Sequence, residues 1–162
     1  MFRHQSIFIK LGNKYISWSK AAKSSYSLWI RGYIFVDGQY YSKETLADYL
    51  SSHFDKVSPQ KHKAILNDLI PRFNGNWALV YKNKEIAFAS VDRLRSTPLF
   101  YGIKDNKFYL GDDANGVREQ ITDSQMDEIA SKEFLLTGYV TGPETLFPNV
   151  KQLQAGVFHH FV

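Results

Sequence analysis

The sequence predicts an α+β domain, and three observations predict it. Strand-like runs rich in β-branched and aromatic residues occupy the stretches before residue 42 and after residue 72; helical spacing is confined to residues 43–70 and 126–134; short Gly, Asn and Asp turn signals separate the strands. With 162 residues, 44% of them hydrophobic, the chain can bury one sizeable core, and no Pro-, Ser- or Gly-rich linker divides it. It therefore reads as a single domain over 1–162.

The opening reads as a hairpin: Ser6 to Leu11, the turn pair Gly12-Asn13, then Lys14 to Trp18 with period-two alternation. A third strand is expected at Tyr26–Val36, broken at Asp37-Gly38. Leu46, Leu50 and Phe54 fall at helical spacing with Ser42 available as N-cap, so residues 43–54 predict a helix. Pro59 suits the first turn of a second helix, with Ala64, Ile65, Leu69 and Ile70 on one side and Pro71 near its end. Strands then follow at Trp77–Lys82, Ile86–Val91, Leu99–Ile103 and Phe108–Leu110, an antiparallel meander by its loop lengths. Thr122-Asp123-Ser124-Gln125 reads as a capping box for a last helix, with Met126, Ile129, Ala130 and Phe134 on one face and Gly138 as C-cap.

Composition narrows the function. The formal charge of +4 is spread over single Lys and Arg residues rather than a basic tract, which argues against nucleic acid. No apolar run approaches membrane-spanning length and the first ten residues lack a secretion signal, so a soluble cytoplasmic protein is expected, with no membrane partner. The absence of cysteine removes disulfides, thiolate metal sites and thiol nucleophiles together. His53 and His62 stand on different expected helices, and the adjacent His159-His160 point to opposite faces of a strand, so no metal site is expected. Asp112-Asp113, followed by Asn115-Gly116, reads as a solvated turn. Neither of the common glycine-rich phosphate motifs occurs.

A series of motifs in order along the chain carries a resemblance. Phe73 to Tyr81, FNGNWALVY, resembles the "L-N-G-x-F-A" strand of asparagine-synthetase-type class II glutamine amidotransferases. Asp92 to Tyr101, DRLRSTPLFY, resembles that family's "R-D-R-L-G-x-K-P-L-Y-Y", and Phe108 to Asp113 sits where the family has "L-Y-F-A-S-E". Glu133 to Val140, Pro143 to Phe147 and Val150 to Gly156 are similar to "E-Y-L-x-x-G-Y-V", "P-x-T-L-F" and "I-x-x-L-P-P-G". Before Phe73 the match is thin; Ile30 to Phe35 can be laid on "F-N-G-E-I-Y". The resemblance implies an Ntn-hydrolase-like four-layer αββα sandwich, two antiparallel sheets between helices, reduced here at the N-terminus. It also implies a following domain that adenylates a carboxylate with ATP and Mg. No "S-G-G-x-D" loop of that domain occurs in this chain, so no cofactor is expected here.

The family's chemistry requires a cysteine exposed by methionine removal, its own α-amine acting as base. Phe2 occupies that position, and the expectation is no catalytic residue. In the alignment Arg31 replaces the Asn that holds the substrate carbonyl, Tyr33 replaces a binding Glu, and Gly32 alone is kept: a vestigial substrate pocket. The stretch that should bring a binding Asp is shortened to Lys56-Val57-Ser58-Pro59-Gln60. Asn74, Gly75, Asp92, Arg93 and Pro98 are read as scaffold, Asp92 and Arg93 as charges that pair across a connection stiffened by Pro98.

The first reading is a catalytically silent glutaminase-type domain that docks against an amide-forming synthetase, in its own chain or on a partner subunit; the parent would be an asparagine-synthetase-like carbon-nitrogen ligase. β-Lactam synthetase and the lasso-peptide cyclases offer parallels, and the apolar end at Gly156–Val162 suggests truncation before a synthetase domain. The second reading is a self-standing binding or scaffold protein, because 3 Trp, 10 Tyr and 12 Phe exceed the evident needs of the core; a homodimer falls within it. The third is an amide hydrolase using Ser6 after cleavage at Gln5.

Overall fold

The computed structural model describes residues 6–12 and 18–161. In chain order its elements are β1 (Ser6–Lys10), β2 (Ser19–Lys23), β3 (Tyr26–Gly32), β4 (Ile34–Val36), β5 (Gln39–Tyr41), α1 (Lys43–Phe54), α2 (Pro59–Leu69) and a short 3₁₀ turn at Ile70–Arg72. After these come β6 (Phe73–Asn74), β7 (Trp77–Asn83), β8 (Ala87–Val91), β9 (Phe100–Lys104), β10 (Lys107–Gly111), α3 (Ala114–Ile121), α4 (Glu128–Thr137), β11 (Val150–Gln152) and β12 (Phe158–Phe161). The α+β class is the expected one, and the described residues form two compact units.

One unit holds residues 18–97 and 155–161. Its larger sheet runs β12-β8-β7-β3-β2, all antiparallel, beside a small sheet β5-β4-β6. The central strand β7 is buried from Trp77 to Tyr81, whereas β3 alternates with Tyr26, Leu28 and Ile30 inward. Ser42 caps α1 by accepting from Thr45 N, and Leu46, Ala47, Leu50 and Phe54 bury against the sheet's core side chains. Pro59 starts α2 as expected, but its buried face is His62, Leu66 and Leu69, while Ala64 is exposed. The face is rotated because His62 sits edge-on to the Phe54 ring at 5.6 Å and is fully buried, a packing role that reading His as polar overlooks.

The expected strand at 26–36 is two strands. Gly32, at φ +86°, ends β3, and the chain turns at Tyr33 into β4 of the other sheet. Alternation continues through both halves, so periodicity alone does not reveal the break.

The other unit holds residues 6–12 and 98–154, with sheet order β1-β10-β9-β11. β1 finds a partner far along the chain, while the expected second arm of the opening hairpin falls mostly outside the described residues. The strand pairs parallel with β10, Ser6 opposite Lys107 through Lys10 opposite Gly111, and Phe8 stacks on Tyr109 at 5.1 Å. The sheet is thus mixed rather than wholly antiparallel. Of the expected second arm, residues 14–17 lie outside the described residues, as does Phe2. Gly12 N donates to the Asp112 carboxylate at 3.0 Å, which ties the end of β1 to the end of its distant partner.

Asp113 does not make a solvated turn. Its carboxylate accepts from Gly116 N at 2.9 Å and caps α3, whose Val117 and Ile121 bury against Phe147 and Val150. Asn115-Gly116 occupies the first helical turn, and its turn-like composition hid a short helix. Thr122, read as the start of a capping box, is instead the left-handed C-cap of α3 at φ +53°. α4 is capped by Asp127, which accepts from Ala130 N at 2.8 Å, and ends at Gly138. No helix among the described residues is long and apolar enough to cross a membrane.

The edge strand β12 carries two histidines, His159 and His160, whose surroundings disfavour their charged forms. His160 is held below the ordinary histidine value of 6.5 first by burial, then by His62, His159 and Lys63; burial alone pulls His159 down. A depressed folded value means that the unfolded chain binds these protons first, so stability is complete above about pH 6.5 and declines as pH falls below it. Thermal melts between pH 7.5 and 5 should show a falling midpoint, and His160→Gln should flatten that slope; identical slopes would exclude His160 as the source.

Candidate functional site

The residues singled out by sequence around Gly32 and Gly75 meet in one crossing. Gly32 lies opposite Trp77 in the β3–β7 ladder, and Tyr33 N donates to Asn76 O at 2.9 Å. A Cβ on Gly32 would stand 1.9 Å from Asn76 O, and one on Gly75, at φ +113°, would stand 2.4 Å from Tyr33 O. Two backbones pass so closely that both positions exclude side chains. Tyr33 lies half exposed beside Gly75, its ring edge-on to Phe35 at 6.1 Å.

Arg31, one residue earlier, faces Ala78 in register and is half buried. Its Nε donates to the hydroxyl of Thr97 at 3.1 Å, and Thr97 is itself buried. Sequence reasoning did not find Thr97, which carries no signal beyond lying between Ser96 and Pro98.

Asp92 organises the next segment. It is 2% exposed. One carboxylate oxygen accepts from Trp77 N at 2.9 Å and Ser96 N at 3.1 Å, the other from Leu94 N at 2.7 Å. Its own N–H donates to Trp77 O, and its carbonyl accepts from Arg95 N and Gly156 N. Charged acceptors of backbone amides make strong hydrogen bonds, and these hold the turn after β8 against the start of β7. The expected pairing of Asp92 with Arg93 does not occur. Arg93 points to the carbonyl of Pro71 at 2.7 Å and to Asn74 Oδ1 at 3.5 Å, because the Asp92 carboxylate is turned inward onto amides. Asn74 Nδ2 in turn donates to Arg72 O, so Asn74, Arg93 and Pro71 form one polar bracket over β6. Pro98 begins the strand-bearing segment of the other unit, just before buried Leu99.

The shortened stretch Lys56–Gln60 leads from α1 into the first turn of α2: Lys56 takes φ +58°, and Val57 N donates back to Phe54 O. Ser6, the alternative nucleophile, is the exposed first residue of β1. The structure also brings His62 and His160 together, rings 5.9 Å apart, a proximity that no sequence spacing announced. Among the described residues no group of three or more His, Cys, Asp or Glu side chains stands together.

A mixed sheet in one unit, antiparallel sheets in the other and a glycine crossing ahead of a buried aspartate are what the chain offers for comparison with known proteins. Residues 37–162 match the family model described as glutamine amidotransferase domain, and the chain belongs to that family. It is 28% identical over 93 residues to a putative glutamine-hydrolyzing asparagine synthetase 2 of Methanocaldococcus jannaschii, a match covering 54% of this chain and 18% of that protein. The chain therefore spans less than a fifth of that relative's length. No solved structure matches it significantly. The α+β architecture is consistent with the Ntn-hydrolase type that the resemblance implied.

Three substitutions test the crossing and its aspartate. Gly32→Ala should cost about 2–5 kcal/mol in urea unfolding, since strain at positive φ adds to a backbone clash. Gly38→Ala, at φ +84° with open space around the new Cβ, should cost only about 1–2 kcal/mol, which isolates the clash. Asp92→Ala should cost about 2–4 kcal/mol by leaving buried amides unsatisfied; a loss under about 0.5 kcal/mol would show that water replaces the carboxylate.

Proposed function

We propose that this chain is a catalytically silent glutaminase-type domain that serves as a structural and docking module for an ATP-dependent, amide-forming synthetase of the asparagine-synthetase kind. The observation that carries this reading is that the family's glutamine chemistry needs a thiol and the sequence contains no cysteine. A change of register in the alignment does not supply one.

The geometry around Arg31 supports it. Where the family's asparagine would offer an amide to the substrate carbonyl, the guanidinium is engaged with Thr97. An arginine in that place is longer and charged, and suits neither the size nor the neutrality of a carboxamide site. Arg31, Gly32 and Tyr33 are read as the remains of a glutamine pocket, whereas Asn74, Gly75, Asp92 and Arg93 hold backbone together and have kept their structural work. In this reading ATP and Mg²⁺ belong to the synthetase portion, in the same polypeptide or a partner subunit, and the working compartment is the cytoplasm. The acceptor of the amide is set by that portion and not by this chain.

One observation favours a self-standing binding protein as the second reading. Tyr33, Phe35 and Tyr40 form an edge-to-face aromatic series on the small sheet, and Tyr33 and Tyr40 are exposed.

Incubation with glutamine and an enzymatic ammonia readout, with intact mass recorded in parallel, decides the catalytic part. No ammonia above the rate of glutamine's own breakdown is expected, and residues 1–5 should remain attached. Ammonia release that depends on Ser6, lost in Ser6→Ala, would overturn the reading in favour of a serine hydrolase.

A further inference from the structure

α4 is a helix without a core. Of its ten residues only Ala130 is buried, while Ile129, Leu135 and Leu136 are 80%, 83% and 86% exposed and Phe134 is 44% exposed. Met126 before it and Tyr139 after it add to the surface at 52% and 59%. Its own unit holds it through polar ends: the Asp127 cap, the bond from Asp127 N to Leu146 O, and the Glu133 carboxylate, which accepts from the N–H and hydroxyl of Thr141. A ten-residue helix is marginal in water when its apolar side chains face solvent. Six large apolar side chains exposed on and beside one short helix are the kind of surface that marks an interaction site.

The distribution of these residues limits what covers them. At about 100° per residue, Phe134, Leu135, Leu136 and Ile129 sweep roughly 220° of the circumference, and Ala130 faces the opposite way, into the unit. A two-fold pairing with a second copy buries a stripe of roughly 100° on each helix and leaves Phe134 or Leu135 in water. A concave apolar groove that receives the helix covers the whole arc. Charge narrows it further. Lys132 projects between Leu135 and Leu136, exposed and with no ion-pair partner among the described residues. Inside a groove an unpaired ammonium is costly, so the groove must carry a carboxylate opposite it. Glu133 is already satisfied by Thr141, and Glu128, one turn before Lys132, makes no ion pair with it.

We infer that α4 is the docking element of this domain, received by an apolar groove with an acidic group at Lys132 on the synthetase portion. This rests on the docking reading above and names its surface and the chemistry of its partner.

The test mixes the chain with the ATP-dependent synthetase domain from the same genome and measures binding by calorimetry, with light scattering on the chain alone. Wild type should be a monomer that binds. Leu136→Lys should weaken binding at least about tenfold, as expected for a central apolar anchor. Lys132→Glu should weaken it as well, with circular dichroism and melting midpoint unchanged in both. Binding by wild type that neither variant weakens would move docking to another face and leave the functional reading intact. No binding by wild type would overturn both. A dimer that Leu136→Lys dissolves would assign the face to a second copy and refute the groove.

Discussion

A single buried carboxylate ties together segments far apart in the chain. Asp92 accepts from the amides of Trp77, Leu94 and Ser96, while its own backbone engages Trp77, Arg95 and Gly156. The central strand β7, the turn that leaves β8 and the segment leading into β12 therefore share one anchor. Burying a charge is costly unless its lone pairs are filled, and here backbone amides fill them in place of a counter-ion. That is why the neighbouring arginine is released to bind the Pro71 carbonyl, and why the aspartate is better understood as part of the backbone network than as part of a surface ion pair.

The glycine crossing depends on the same strand. β7 begins directly after Gly75-Asn76, and Asn76 O receives Tyr33 N where the chain leaves β3 for β4. Since contact is between backbones, neither glycine tolerates a Cβ, and the passage of one chain segment from the large sheet to the small one is built on two absent side chains. Side chains beside such a crossing are free to vary without disturbing it. Arg31 and Tyr33 stand on either side of Gly32, so chemistry at this place can change while the scaffold persists.

This separation of scaffold from chemistry explains how a chain can belong to the glutamine amidotransferase family and carry none of its thiol. The backbone brackets at Asn74, Arg93 and Asp92 act on peptide groups, and peptide groups do not depend on what the pocket binds. A helix such as α4, capped at both ends but barely packed, belongs to the same logic: its geometry is set locally, and its apolar surface is addressed outward.

Much was legible in the residues alone. Ser42, Pro59 and Gly138 mark helix ends through capping and the geometry of proline and glycine, all of which act within a few residues. The strands from Trp77 onward follow from alternation and turns, and the missing cysteine bounds the chemistry before any coordinates. Tertiary structure decided what depends on distant partners. β1 lies parallel to β10, joined to it by the stacking of Phe8 on Tyr109 and by the Gly12–Asp112 bond, a pairing across about a hundred residues that no local signal announces. α2 turns His62 inward because Phe54 and His160 offer it an aromatic niche. Asp92 looks like a surface charge until its three amides converge, and α4 reads as an ordinary amphipathic helix until burial shows its apolar side facing water. Local rules depend on covalent neighbours, whereas pairing, burial and exposure depend on contacts between residues that the chain places far apart.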